Sequence, residues 1–141
     1  MTTIGEYEFP DDLLYDREHV WVRVENHTAT IGLTQFGQAV AGDIVYVEVP
    51  RPGRKVAQGE PFMSMESGKW VGRIKSPVSG MVAGGNEEIE WESTLVNSDP
   101  YGQGWLAQIE MDDPGQLEGL MRADSPAFAE FIAAEREKYN K

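Results

Sequence analysis

The residues best placed to do chemistry form a short turn around Lys69. Gly68 and Lys69 separate two β-prone runs at 63–67 and 71–74. This pattern predicts a two-residue hairpin turn in which Gly68 takes a positive φ. A lysine on such a turn projects into solvent with few contacts, so its amine is available for attachment of a prosthetic group. A lysine at a hairpin tip is more often a solubilising residue, but this chain contains only four other lysines.

Composition and charge argue against several classes of function. The chain has 141 residues, a net charge of −12 and a pI of about 4.5. Surfaces that bind nucleic acid or anionic membranes are usually basic, so neither is expected as a partner. The chain has no cysteine, which excludes disulfides, zinc–thiolate sites and a thiol nucleophile. Any sulfur or redox chemistry therefore has to come from a cofactor.

The sequence does not predict an enzyme. The two histidines, His19 and His27, show no triad or metal-ligand spacing. The N-terminus lacks a basic region followed by an apolar run, and no apolar stretch approaches the length of a membrane span. We therefore expect a cytoplasmic protein with no metal site and no membrane insertion.

Glycines and prolines spread along the chain predict many turns and hence many short strands. Strands are expected at 20–24, 28–33, 44–49, 81–83 and 105–109. Thr34 is expected to cap a short helix that Gly42 ends, and a second short helix is expected within 112–120. The fold class is thus a β-rich body with few helices.

A single domain is expected over 1–141, with 1–12 as an N-terminal extension and 125–139 as a C-terminal helix. Ser125 followed by Pro126 is typical of a helix start. One face of this helix carries Phe128, Phe131 and Ile132. Such helical spacing of apolar residues indicates that the helix packs on the β-rich body.

Six segments, in continuous order, carry a family resemblance. They are 15–22, 30–34, 42–50, 66–69, 76–80 and 95–105. Together they resemble the H-protein of the glycine cleavage system, a family of lipoate carriers. The resemblance implies a barrel-sandwich hybrid fold of the lipoyl/biotinyl type, with short helices and a C-terminal helix. It also implies lipoate in amide linkage to Lys69, on a carrier that is a substrate of its partner enzymes.

The implied cofactor agrees with the composition, because the dithiolane of lipoate supplies the two sulfurs that this chain lacks. The implied partners are a lipoate-attaching enzyme and a dihydrolipoamide dehydrogenase-like reductase. Biotin is the nearest alternative cofactor, but biotinyl domains resemble one another in having methionine on both sides of the lysine. Here Lys69 lies between Gly68 and Trp70, so biotin is strongly disfavoured.

The residues around Lys69 match the family's lipoylation motif in part. Glu66, Ser67, Gly68 and Lys69 form the motif, in which Glu66 either guides the lipoate-attaching enzyme or is a solvated strand residue. Trp70 either shields the turn or packs on the lipoyl arm.

Three positions depart from the family pattern, which typically has glutamate after the histidine at 19, valine before the lysine and aspartate shortly after it. Val20, Gly68 and Arg73 occupy these positions. The family's carboxylates at positions 20 and 73 are missing here, which would disfavour a cationic aminomethyl cargo. Arg73 near the arm would instead suit an anionic cargo. Arg73 is otherwise a surface charge, with Glu66 as a possible cross-strand partner.

These departures favour a branch of H-protein-like lipoate-binding proteins that serve a cytoplasmic sulfur-oxidation pathway built around a heterodisulfide-reductase-like complex. The alternative is a glycine cleavage H-protein that carries the aminomethyl group between glycine decarboxylase and aminomethyltransferase. A third possibility is an unlipoylated scaffold or regulatory protein, against which the intact Lys69 setting argues.

Overall fold

Twelve short strands form most of the protein, as described for residues 1–141 by a computed structural model. The strands are β1 (Thr2–Ile4), β2 (Tyr7–Phe9), β3 (Leu14–Tyr15), β4 (Val20–Glu25), β5 (Thr28–Leu33), β6 (Ile44–Glu48), β7 (Lys55–Val56), β8 (Pro61–Ser67), β9 (Val71–Lys75), β10 (Gly80–Gly85), β11 (Ala107–Met111) and β12 (Met121–Arg122). The expected mainly β class is confirmed. The predicted strand at 105–109 begins later, because Trp105 closes a turn with the carbonyl of Gly102.

The strands form three sheets. A seven-stranded sheet has the order β12-β3-β4-β5-β11-β10-β7, and β6, β8 and β9 form a three-stranded sheet in the order β6-β8-β9. Strands β1 and β2 form a separate antiparallel pair. All the pairings are antiparallel. The three-stranded sheet carries the β8–β9 hairpin and therefore the turn that contains Lys69.

Four α-helices and one 3-10 helix complete the fold. They are α1 (Gln35–Ala41), α2 (Glu88–Trp91), α3 (Leu95–Ser98), the 3-10 helix Pro114–Gly119 and α4 (Pro126–Tyr139). The Thr34 and Ser125 caps are confirmed, since each hydroxyl accepts a backbone N–H of the first helical turn. Helices α2 and α3 were not predicted, because one turn is too short to show a helical period. None of the helices is long and apolar enough to cross a membrane.

Two apolar clusters hold these elements together. The larger one joins the seven-stranded sheet to the three-stranded sheet, with buried side chains such as Ile31, Val47, Met65 and Ile109. Successive side chains of a strand point to opposite faces, which explains how β8 contributes to this cluster: Met63 and Met65 point inward, whereas Glu66 is exposed. The cluster thus fixes the base of the hairpin and leaves its turn at the surface.

The smaller cluster is aromatic and attaches the C-terminal helix to the N-terminal strands. Phe9, Tyr15 and Phe128 pack with ring centroids 4.7–5.8 Å apart, a range in which aromatic pairs attract one another. As the helical spacing indicated, Phe128 and Ile132 are buried and Phe131 is half-buried. This packing brings the end of α4 close to the start of β4.

Candidate functional site

The β8–β9 hairpin presents Lys69 at its turn. The last paired residues are Glu66 and Val71, and the N–H of Ser67 donates to the carbonyl of Trp70 at 2.7 Å. The hairpin is confirmed, but the predicted positive φ of Gly68 is wrong, since the positive-φ glycines are at 5, 42, 53 and 59. Four residues rather than two connect the paired positions, so the turn does not require a left-handed residue at 68.

Ser67 anchors the turn to helix α1. Its buried hydroxyl donates to the carbonyl of Ala41 at 2.7 Å and accepts the N–H of Lys69 at 3.3 Å. Loss of this hydrogen bond would leave the buried carbonyl of Ala41 without its hydroxyl partner and would destabilise the fold. The bond therefore fixes the position of the turn relative to α1. The sequence placed Ser67 in the lipoylation motif without giving it a role.

Lys69 is exposed, as expected, but its methylene chain lies against Gly42 instead of extending freely. A Cβ atom added to Gly42 would be 2.8 Å from Cε of Lys69. Gly42 ends α1 with φ 87° and ψ −171°, a conformation that is essentially restricted to glycine. Gly42 therefore supplies both the corner of the chain and the space along which the lysine lies.

Asn97 holds this corner in place. Its side-chain amide donates to the carbonyl of Gly42 at 2.9 Å, and its side-chain oxygen accepts the N–H of Ile44 at 2.9 Å. The amide also donates to Gln38 of α1. Polar backbone groups of this half-buried, irregular corner are thus satisfied by a residue more than fifty positions away.

Beside the lysine is a cleft of about 400 Å³ between the hairpin, α1, the start of β4 and the end of α4. Its apolar walls include Val20, Leu33, Val40, Ala41, Trp70 and Ile74. Val20 is also a buried core residue that pairs with Leu33 across β4 and β5. Sequence reasoning treated position 20 only as a lost carboxylate and missed this packing role.

Four charged residues line the same cleft: Glu18, Lys69, Arg73 and Lys75. Lys75 Nζ lies 3.5 Å from Glu18 Oε1 in a half-exposed ion pair. Arg73 forms no ion pair with any carboxylate, so pairing with Glu66 across the hairpin does not occur; Ser64 lies opposite Arg73. The cleft therefore keeps one carboxylate, that of Glu18. It lies two positions before Val20, where the family typically has glutamate.

Trp70 follows the lysine and lies across its own strand. A Cβ atom added to Gly72 would collide with the indole of Trp70, so the ring covers the glycine backbone. The half-buried indole also packs against the larger apolar cluster. Because Trp70 covers its own strand and also lines the cleft, shielding of the turn and packing on the lipoyl arm both stay predictions.

His19 links the cleft to the C-terminal helix. Its backbone has φ 66°, and its ring lies between Phe36 and Phe131 at centroid distances of 5.1 and 5.3 Å. Nε2 is 2.7 Å from Oε1 of Glu135, whereas the buried Nδ1 has no partner. Burial lowers the pKa of His19, and the opposing attraction of Glu135 does not overcome it.

Asp16 shapes the chain just before His19. Its Oδ1 accepts the N–H of Glu18 at 2.8 Å and that of Val20 at 2.9 Å. Burial raises the pKa of Asp16 to about 6, although these two hydrogen bonds act in the opposite direction. Asp16 lies within the first family-like segment, but its bonds to Glu18 and Val20 were not foreseen.

The fold and the site together define a class of protein. A mainly β domain that presents a lysine at a hairpin turn, beside a partly apolar cleft and without a nucleophile–base pair, is suited to carrying a group that other proteins process. The chain belongs to the glycine cleavage H-protein family, whose model matches residues 13–132. Members of this family carry lipoate on a lysine and are carrier proteins rather than enzymes, as the resemblance implied.

Curated relatives and a solved structure agree with this family. The chain is 50% identical over 117 residues to a glycine cleavage system H protein of Brevibacillus brevis, covering 83% of this chain and 93% of that protein. It is 47% identical over 129 residues to the one of Marinobacter nauticus, with coverage of 91% and 98%. A crystal structure of a glycine cleavage system H protein from Mycobacterium marinum aligns with a TM-score of 0.78 at 26% identity, covering 90% and 98%. The expected barrel-sandwich type is thereby confirmed.

The expectation of a sulfur-oxidation pathway with a heterodisulfide-reductase-like complex was wrong. Relatives at 46–50% identity over more than four fifths of the chain are named glycine cleavage system H proteins. The error came from treating Val20 and Arg73 as isolated charge changes. In the structure Val20 packs in the core and Glu18 keeps a carboxylate at the cleft, so these positions do not exclude a cationic cargo.

Proposed function

We propose that this chain is the lipoyl carrier of a glycine cleavage system, with lipoate attached to Lys69. In this role it carries the aminomethyl group between glycine decarboxylase and aminomethyltransferase, and these two enzymes and a lipoate-attaching enzyme are its partners. One observation carries the proposal: Lys69 is the only lysine in the β8–β9 turn, and its side chain lies along Gly42 at the cleft.

The residues around the cleft fit a lipoyl group. An amide-linked lipoate is a long, mostly apolar chain that ends in a dithiolane ring, and the apolar side chains that line most of the cleft suit such a chain. When bound, lipoate would supply a dithiolane whose S–S bond can open reductively, so that one sulfur takes up the carried group and the other becomes a thiol. The buried and unpartnered Nδ1 of His19 provides a polar atom beside that space.

Several residues act on the arm by positioning it. Ser67 and Gly42 fix the direction in which Lys69 leaves the turn. Amide formation removes the charge of Lys69, which leaves Glu18, Arg73 and Lys75 as the remaining acidic and basic side chains apart from His19 that line the cleft. Glu18 is the carboxylate available to a cationic cargo, and Lys75 competes for it at 3.5 Å.

The remaining expectations stay predictions of this proposal. These are the single carrier domain over 1–141 with its extension at 1–12, the cytoplasmic location, and a dihydrolipoamide dehydrogenase-like reductase as a further partner. The unlipoylated scaffold is the competing function, and it is decided by whether Lys69 accepts lipoate.

The proposal is tested with the Lys69→Arg variant, and with Lys75→Arg as a matched control on the same hairpin. Apo-protein is incubated with a lipoate–protein ligase, lipoate and ATP, and intact mass and peptide mapping locate the adduct. We expect one lipoyl group on Lys69 in the wild type and in Lys75→Arg, and none in Lys69→Arg. Full lipoylation of Lys69→Arg, or an unmodified wild type, would contradict the proposal.

The cargo is tested in a second step. Lipoylated protein is incubated with glycine decarboxylase and glycine, and the intact mass is measured again. An aminomethyl increment supports the glycine cleavage role. A lipoylated protein that glycine decarboxylase leaves unloaded would retain the carrier and refute this cargo.

A further inference from the structure

The outward face of the three-stranded sheet carries an exposed row of side chains next to the lysine turn. Tyr46 on β6 lies opposite Glu66 on β8, which lies opposite Val71 on β9. Tyr46 is 52% exposed and Val71 75% exposed. An irregularity in the β6–β8 pairing also leaves the neighbouring Val45 61% exposed. Large apolar side chains grouped on a surface indicate an interaction site more often than isolated ones do.

This row borders the turn on its open side. Glu66 and Val71 are the last paired residues before the turn. On the inner side, Ser67 binds α1 through Ala41, and the chain of Lys69 lies against Gly42. The body of the protein therefore covers the inner side of the turn, whereas the outward sheet face remains accessible to a macromolecule that approaches Lys69.

The reach of the lysine indicates which partner uses this face. An enzyme that acylates Lys69 has to bring its active site within one lysine side chain of the turn, so it has to contact the sheet beside it. Enzymes that process the carried group meet the far end of a much longer arm and can bind elsewhere. We propose that Tyr46, Glu66 and Val71, with Val45, dock the enzyme that attaches lipoate to Lys69.

The charge of the row specifies the complementary surface. Glu66 is exposed and forms no ion pair within the protein, and the whole chain carries a net charge of −12. A partner that offers an apolar patch with an arginine or lysine at its centre matches an acidic residue flanked by Tyr46 and Val71. Glu66 was expected to guide the lipoate-attaching enzyme, and the inference adds Tyr46 and Val71 to that recognition surface. It rests on the proposed lipoylation of Lys69.

The reaction at this interface is acyl transfer from lipoyl adenylate, which the enzyme makes from lipoate and ATP with release of pyrophosphate. The neutral amine of Lys69 attacks the lipoyl carbonyl and an amide bond forms. The bond between the carbonyl carbon and the phosphate oxygen breaks, AMP leaves with the electron pair, and the amine loses a proton. The docking residues take no part in these steps. Replacing them should therefore weaken binding of the carrier to the enzyme and leave the maximal rate unchanged.

The test compares Tyr46→Ser and Val71→Ser with two matched controls on the seven-stranded sheet, Val24→Ser and Met81→Ser. Val24 is 38% exposed and Met81 43% exposed, so all four changes remove an exposed apolar side chain from a strand. Initial rates of lipoylation are measured with a purified lipoate–protein ligase, saturating lipoate and ATP, and varied apo-carrier. Urea unfolding verifies that each variant is folded.

We expect the two docking variants to lower kcat/KM for the carrier by about tenfold each, through KM, as is typical of central contact residues. The two controls should stay within about twofold of the wild type. Equal kcat/KM for all five proteins would overturn the inference, and so would normal lipoylation with impaired aminomethyl loading, which would assign the face to glycine decarboxylase. A wild type that accepts no lipoate would refute the proposed function itself, and with it this inference.

Discussion

Replacing Gly42 by alanine tests whether one residue both shapes the α1 corner and seats the lysine. The backbone there has φ 87° and ψ −171°, and a residue with a Cβ in that region carries about 1–3 kcal/mol of strain. The new methyl group would be 2.8 Å from Cε of Lys69. Carbon atoms pack best at about 3.5–4.0 Å, so the lysine has to withdraw by about 1 Å. We expect a loss of about 2 kcal/mol in the free energy of unfolding, mostly from the backbone.

Two measurements separate these effects. Urea unfolding followed by tryptophan fluorescence gives the stability loss at unchanged m-value, and NMR of ¹³C-lysine protein, which has five lysines, reports the Lys69 Cε signal. Gly53→Ala is the matched control, since Gly53 has φ 90° with no atom within 4 Å of the added Cβ. Both variants should be destabilised, but only Gly42→Ala should shift the Lys69 signal. An unshifted signal with unchanged stability in Gly42→Ala would refute the reasoning.

Three further changes probe the surroundings of the turn. Ser67→Ala leaves the carbonyl of Ala41 without its hydroxyl partner and should lower the free energy of unfolding by about 1–3 kcal/mol in urea; an unchanged midpoint would contradict the anchor. Because burial lowers the pKa of His19 below 6.5, the unfolded state binds more protons at this residue, so the contribution of His19 to stability should fall as the pH drops through 6.5, against an opposite contribution from Asp16 with its raised pKa of about 6. His19→Asn, which tolerates positive φ, should lose this part of the pH dependence, and a parallel pH profile would exclude His19. Arg73→Asp should raise aminomethyl loading by at most about fivefold, since exposed ion pairs contribute little; a larger gain would mean that Arg73 is a real barrier to the cargo.

Local features of the site could be predicted from the sequence. The hairpin around Lys69 follows from two β-prone runs and a glycine, and the caps at Thr34 and Ser125 follow from residues within one helical turn. In each case the partners lie within a few positions of one another. The chemistry of short segments decides such features, so composition and spacing are sufficient to find them.

Long-range contacts could not be predicted in the same way. Glu135 lies 116 positions from His19, and Asn97 lies 55 positions from Gly42. No local pattern marks these partners, because folding alone brings them together. The same limit explains the error at Val20, whose packing against β5 is invisible in a comparison of single residues. Gly68 is the glycine next to the lysine, but it does not have a positive φ. Gly42 has one, and its backbone conformation is the one that requires glycine.

The bonds from Asn97 to the α1 corner set an order of events during synthesis. Residues 61–75 can form their hairpin as soon as they leave the ribosome, since its strands are neighbours along the chain. The corner that seats Lys69 lacks its support until Asn97 emerges, and β5 lacks one of its neighbours until β11 follows. A nascent chain therefore displays the lysine before it displays the finished surface around it. Attachment of a prosthetic group that depends on that surface therefore has to wait until Asn97 and β11 have joined the fold.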